Sequence, residues 1–266
     1  QFIRNEGQSD DAVRFQIISD GGSVFFTDTG VSFTLLNFDA ENPETAHIRY
    51  RFAGATGPSG ISGDDPLNCR VNFLFGNDPA GWNTGVTAYE GITYHDLYPG
   101  VDLSYHGVAD GLKSEFILSP GANPSLILME YSGQSSLSIR KDGSLLIATP
   151  AGDMTEFSPV CYQDINGDRI PVTAEFAIKG PNVVGFTVGS YNHGYPLVID
   201  PVMKYGIYLR GIGIAEGRGI AVDSSSCAYV TGVSYPAPYL HLDDSAGSNA
   251  GGTDAVVVKI NPDGTA

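Results

Sequence analysis

Hydrophobic and polar residues alternate along this chain in short runs with a period of two. Val13, Phe15 and Ile17 face one way while Arg14 and Gln16 face the other, the pattern of a strand with one buried face. Asp20-Gly21-Gly22 turns the chain, Val24 to Phe26 returns, and Asp28-Thr29-Gly30 turns it again into Val31, Phe33 and Leu35. That succession predicts a meander of hairpins. Ile48, Tyr50 and Phe52 then alternate with Arg49 and Arg51, giving another half-buried strand. The Gly, Pro, Ser and Asp rich residues 54 to 68 read as a long surface loop.

The stretch from Arg70 to Gly133 organises the rest. Its apolar or alternating runs (Val71 to Phe75, Ile92 to Tyr94, Val101 to Tyr105, Phe116 to Leu118) are separated by Gly, Pro, Asn and Asp clusters, and it holds the single Trp. Dense Tyr and Phe here predict the core of a β domain. Asn123 to Met129 opens on an Asn-Pro that suits one helical turn, but its apolar run suits a strand. Further hairpins turn at Lys141-Asp142-Gly143, Asn166-Gly167 and Gly180-Pro181-Asn182. No segment keeps a 3.6-residue apolar period for three turns. The fold class is all-β, with an antiparallel β-sandwich-like N-terminal region at residues 1–195, divisible into two lobes near residue 133. Pro196 and Pro201 bracket an extended apolar segment, so residues 196–203 read as a stiff connector.

Beyond the connector the text changes to KYGIYLRG, GIAVDSSSCAYVTG and GGTDAVVVKINPDGT. Residues 204–266 resemble one SBBP repeat, the β-propeller blade repeat of secreted bacterial and archaeal proteins. The preceding NEGQ, DPLNCRVNFLFGNDPAGWNTGV, YHDLYPGVDLSYHG, SPVCYQDINGDRIPV and PLVIDPV resemble the all-β domain that commonly precedes such repeats. The resemblance implies a secreted or cell-surface protein of structural or adhesive type without an established catalytic residue set. It also implies a propeller-blade-like four-stranded repeat, with strands near Tyr205 to Leu209, Ile220 to Val222, Ala228 to Val233 and Ala255 to Ile260. Cys69, Cys161 and Cys227 stand where the family more often has other small residues.

A propeller needs about four to eight blades, and this chain holds material for one. A lone blade must find its neighbours in more chain or on other molecules, because a repeat cannot bury its faces alone. Phe2, Ile3, Tyr205, Ile207, Val256, Val257 and Val258 are therefore the assembly candidates, with Gln1 to Gln8 as an extended arm that adds itself as a strand.

Composition narrows the setting. Fourteen Lys plus Arg stand against thirty Asp plus Glu, for a net charge of −16. Such a surface repels phosphate backbones and anionic lipid, so neither nucleic acid nor a membrane is an expected partner. No apolar run approaches the ~20 residues of a spanning helix. Thirty-four glycines and sixteen prolines suit a turn-rich β protein. The three cysteines form no CxxC or zinc spacing, and Cys161 and Cys227 sit in strand-like runs where a small buried hydrophobe is expected. The sequence has no N-x-Ser/Thr acceptor for N-glycans.

Candidate chemistry is sparse. His95, Asp96, Asp102 and His106 lie close together, with Asp102 and His106 on one strand face. They lack metal-ligand spacing, and a solvated face around a Tyr-Pro-Gly turn accounts for them. Asp164, Asn166 and Asp168 echo the start of a calcium loop, yet Glu175 is misplaced as its closing ligand and Asn-Gly is a hairpin signal. Asp243, Asp244 and Asp254 form a second acidic candidate in a Gly/Ser loop. No G-x-S-x-G elbow, Walker loop or H-E-x-x-H occurs. The expected function is a non-catalytic extracellular structural protein, a fibre subunit or adhesin, that self-associates through β edges without a cofactor. The alternatives are a glycan- or calcium-binding surface module and, behind it, a glycosidase-like enzyme.

Overall fold

The structure, a computed structural model, describes residues 1–19, 22–37, 44–75, 77–108, 111–205, 215–222, 228–234 and 254–260. Every regular element among them is a strand except two 3₁₀ turns. The N-terminal meander is β1 (Phe2–Arg4), β2 (Val13–Ser19), β3 (Gly22–Thr27), β4 (Gly30–Asn37) and β5 (Glu44–Phe52). Next come two long strands and two shorter ones, β6 (Gly60–Phe73), β7 (Asn83–Tyr98), β8 (Val101–Val108) and β9 (Gly111–Leu118). The chain goes on through β10 (Leu128–Ser132), β11 (Ser136–Ile139), β12 (Leu145–Ala148), β13 (Met154–Glu156), β14 (Val160–Ile165) and β15 (Asp168–Val172). It continues with β16 (Ala174–Gly180), β17 (Val183–Val188), β18 (Leu197–Asp200) and β19 (Val202–Tyr205). A separate three-stranded sheet holds β20 (Ala215–Val222), β21 (Ala228–Ser234) and β22 (Asp254–Ile260).

The first nineteen strands form one antiparallel hydrogen-bonded sheet that branches at β7. One side of β7 pairs with β6, while the other is shared by β1 at Ala88 and Tyr89 and by β8 from Gly91 onward. One branch runs from β1 through β2, β3, β4, β5, β10 and β17 to β16. The other runs through β8 to β9, which pairs along its length with both β18 and β19. β18 leads to β14 and β15, and β19 leads to β13, β12 and β11.

The branches face each other across an aromatic core. Phe26 of β3 lies 5.2 Å from Tyr105 of β8, Phe52 of β5 lies 5.4 Å from Tyr94 of β7, and Phe116 of β9 lies 5.6 Å from Phe186 of β17. The alternation along the chain has a direct cause here. Ala46, Ile48, Tyr50 and Phe52 enter this core while the residues between them stay exposed, as the pleat requires. Asn166 and Gly167 both have positive φ, 53° and 93°, the backbone of a two-residue hairpin. Asn123 caps a single 3₁₀ turn, Pro124–Leu126, before β10 begins, so both halves of that mixed signal are satisfied.

Four segments differ from their sequence expectation. Residues 60–68 are part of β6, an irregular edge strand whose register shifts between Pro66 and Arg70 and whose Asp65 has φ 50°. Turn-type composition marked irregularity there, and a bulged edge supplies it as well as a loop does. The expected connector is built into the sheet: Leu197 and Ile199 of β18 and Met203 of β19 are buried, and Pro201 only separates the two strands. The expected N-terminal arm is β1, inserted between β2 and β7 with Phe2 and Ile3 buried. Trp82 caps the 3₁₀ turn Pro79–Gly81 between β6 and β7, and is 37% exposed rather than central.

Candidate functional site

Polar side chains gather in two places, one on the outer face of β6 to β9 and one inside the core. Ile92 and Tyr94 of β7 point inward, so Thr93 and His95 point outward, level with Ser62 and Asp64 of β6 and Ser104 of β8. Thr93 Oγ1 donates to Asp64 Oδ2 at 2.5 Å and lies 2.8 Å from Ser104 Oγ. Ser62 Oγ lies 3.3 Å from Asp64 Oδ1 and 2.8 Å from His95 Nε2. One assignment satisfies every group: Ser104 donates to Thr93, Thr93 and Ser62 donate to the Asp64 carboxylate, and His95 Nε2–H donates to Ser62. The cluster ties three strands together.

The outer face continues into charge. Lys113 Nζ of β9 lies 3.0 Å from Glu115 and 3.0 Å from Asp200 of β18, and His106 of β8 lies 3.8 Å from Glu115. Asp200 Oδ1 is buried without a hydrogen-bond partner. Burial pushes the Asp200 carboxyl above its ordinary range, more than the Lys113 ammonium pulls it down. The histidines and carboxylates grouped by sequence are thus split: His95 belongs to Ser62 and His106 to Glu115. Asp102 Oδ1 takes the backbone N–H of Asp96 at 2.7 Å, bracing a residue with φ 49°.

The calcium candidates are placed as follows. Asp164 receives the Arg169 guanidinium at 3.3 Å across the β14–β15 hairpin, and that guanidinium also stacks 3.8 Å from the Tyr162 ring centre. Asn166 is the turn, and Asp168 starts β15 opposite Ile165. Asp254 begins β22, whereas Asp243 and Asp244 lie outside the described residues. Among the described residues no three His, Cys, Asp or Glu side chains gather as a metal would require. Cys69 is an exposed free thiol, and Cys161 is buried, its pKa pushed up to about 11 by that burial.

Inside the core, Glu156 of β13 is 3% exposed and accepts a 2.8 Å hydrogen bond from Tyr131 of β10. Tyr50 and Tyr105 hydrogen-bond to each other beside it, and the Tyr50 and Tyr131 rings are 5.3 Å apart. Burial raises the Glu156 carboxyl to about 7, against the smaller downward pull of Tyr131. Period two could have found it: Met154 is buried, so Glu156, two residues on, shares its face. Lys113, Glu115 and Asp200 carry no local signal, because their meeting depends on which strands pair.

Of the assembly candidates, Phe2 and Ile3 are committed within their own chain. Tyr205 ends β19 of the large sheet, opposite Met154, and so is not a first blade strand. Ile207 lies outside the described residues. Val256, Val257 and Val258 occupy the middle of β22, which pairs with β21 without a register shift. No curated protein and no solved structure matches this sequence. Residues 2–202, well over half of the chain, match the family model described as Domain of unknown function (DUF7948), and the protein belongs to that family.

Proposed function

We propose that this protein is a non-catalytic extracellular structural component that assembles through its C-terminal sheet, with the DUF7948 domain as a self-contained platform. The observation that carries this reading is a contrast between edges. Among the described residues the large sheet ends in four edge strands, β6, β11, β15 and β16, and each has a feature that hinders strand addition. β6 contains Pro66 and two register shifts, β15 contains Pro171, β16 has a shift between Ile178 and Gly180, and β11 is four residues long. Prolines, bulges and short edges are the usual protection against edge pairing.

The β22 edge lacks all of these. Its seven residues, DAVVVKI, pair in unbroken register with β21, and nothing among the described residues pairs with its other side. A seven-residue, valine-rich strand without proline or bulge is a template for another chain or another repeat. The large sheet ends at Tyr205 and the family match ends at residue 202, which supports a boundary in residues 206–214 rather than 196–203. The likeness of residues 204–266 to a blade repeat supports the extracellular setting.

Light scattering and electron microscopy of the full chain test this. Native protein should form concentration-dependent assemblies, and Val257→Asp and Val258→Pro should abolish them while far-ultraviolet circular dichroism stays native. Assembly by both variants, or a native protein that remains monomeric at high concentration, would remove the proposal.

A further inference from the structure

We propose that Glu156 is a proton-operated latch on the β13–β19 strand pair, holding it while the carboxyl is neutral and loosening it on ionisation. β13 has only three residues, and its pairing with β19 has three steps, Met154 with Tyr205, Thr155 with Lys204 and Glu156 with Met203. On its other side Glu156 stands opposite Leu145 of β12. Leu145 and Met203 are both buried, so the carboxyl lies in an apolar corner. The titratable groups that act on it from the surrounding elements are all phenols: Tyr131 of β10, Tyr50 of β5 and Tyr105 of β8. Among the described residues no ammonium, guanidinium or imidazole is paired with it.

Among the described side chains a carboxylate formed there has one donor, Tyr131, and no counter-ion, which is a costly way to hold a charge. The cheapest relief is local. Opening the three residue pairs between these short strands lets the carboxylate reach water and leaves the aromatic core intact. The place matters because β19 is the last strand of the large sheet, and the chain runs from it through residues 206–214 to β20. The latch therefore sits where one sheet hands the chain to the other.

The sign follows from linkage. The folded-state pKa, about 7, is raised above the ordinary 4.5, so the stabilisation is complete below 4.5 and is lost as pH rises to about 7. The opening constant should climb about tenfold per pH unit across that window, roughly 300-fold in all, and then level off.

Amide hydrogen exchange of the full chain, corrected for the intrinsic pH dependence of exchange, reads this directly. Peptides covering β13 and β19 should lose protection between pH 4.5 and 7 while a β3–β4 peptide does not. E156Q, which keeps an acceptor for Tyr131 but cannot ionise, should be flat throughout. Equal pH dependence in E156Q overturns the latch. If E156Q does not fold, the native chain decides alone: flat β13 and β19 protection overturns the proposal, and a loss confined to those two strands supports it.

Discussion

Truncating Phe2 should cost this protein about 4 kcal/mol, although it lies in a strand of only three residues. Its ring is fully buried, 5.4 Å from the Phe26 ring, and its strand bonds to β2 on one side and β7 on the other. Phe→Ala at a site of this burial removes the transfer energy and leaves a cavity, about 3–5 kcal/mol together. Collapse is limited because β1 is held on both sides. Against a total stability of about 5–15 kcal/mol the loss is large. The assay is urea unfolding followed by far-ultraviolet circular dichroism, since exposed Trp82 would report its own loop rather than the core. The loss should be the same across a hundredfold dilution, because β1 pairs within its own chain. A cost below about 1 kcal/mol, or a midpoint that falls on dilution in the assembly-blocked Val257→Asp background, would show that β1 is an exchangeable arm and that this reasoning is wrong.

Other perturbations test separate parts of the fold. Gly133 has φ 91°, and a Cβ there would sit 2.0 Å from the His47 carbonyl oxygen, so Gly133→Ala should cost clearly more than the control Gly152→Ala. At Gly152 the φ is 117° but the space is open, and only the backbone penalty of about 1–2 kcal/mol applies. Tyr131→Phe removes the donor to Glu156 and should destabilise by about 1–3 kcal/mol; since that bond lowers the Glu156 pKa, unfolding titrations should show the pH-dependent loss extending to higher pH than in the native protein. Lys113→Ala strands Asp200 and Glu115, and because the ammonium is partly solvated the loss should be about 1–2 kcal/mol, measured by denaturant midpoint and smaller in acid. Chelator should leave the melting temperature unchanged, as Asp164 is occupied by Arg169; a large drop would reveal a cation site.

What the sequence revealed and what it hid have physical causes. Strand-rich composition, most of the period-two runs and the Asn166-Gly167 hairpin are local signals, and the structure follows them; β2 is the exception, because Gln16 on its expected polar face is buried as fully as Phe15. Glycine and proline were ambiguous, because a bulged edge such as β6 and a loop need the same residues. The role of residues 197–205 was hidden for a different reason. Prolines flanking an apolar run describe a linker and a pair of short buried strands equally well, and only the pairing with β9 decides. The outer polar face was illegible beyond single residues, since Ser62, Thr93, Ser104 and Lys113 meet through registers fixed by the whole sheet. Glu156 was readable from its neighbour Met154, but an acid in a three-residue run is easily assigned to a loop.

The pairing scheme also bears on how the chain acquires its shape during synthesis. Phe2 and Ile3 leave the ribosome well before Tyr89 and Ala88, their partners on β7, so β1 waits for most of a hundred residues. β9 waits again, for β18 and β19, about eighty to ninety residues downstream. Until β7 and β8 have emerged, the meander β2–β5 shows water an apolar face that Tyr94 and Tyr105 will later cover. Contacts this distant in sequence make for slow closure and a long exposure of sticky intermediates. The guarded edges β6, β15 and β16 therefore have work to do before the fold is complete as well as after it. Products stopped short of β19 should reach the soluble fraction only with a chaperone's help.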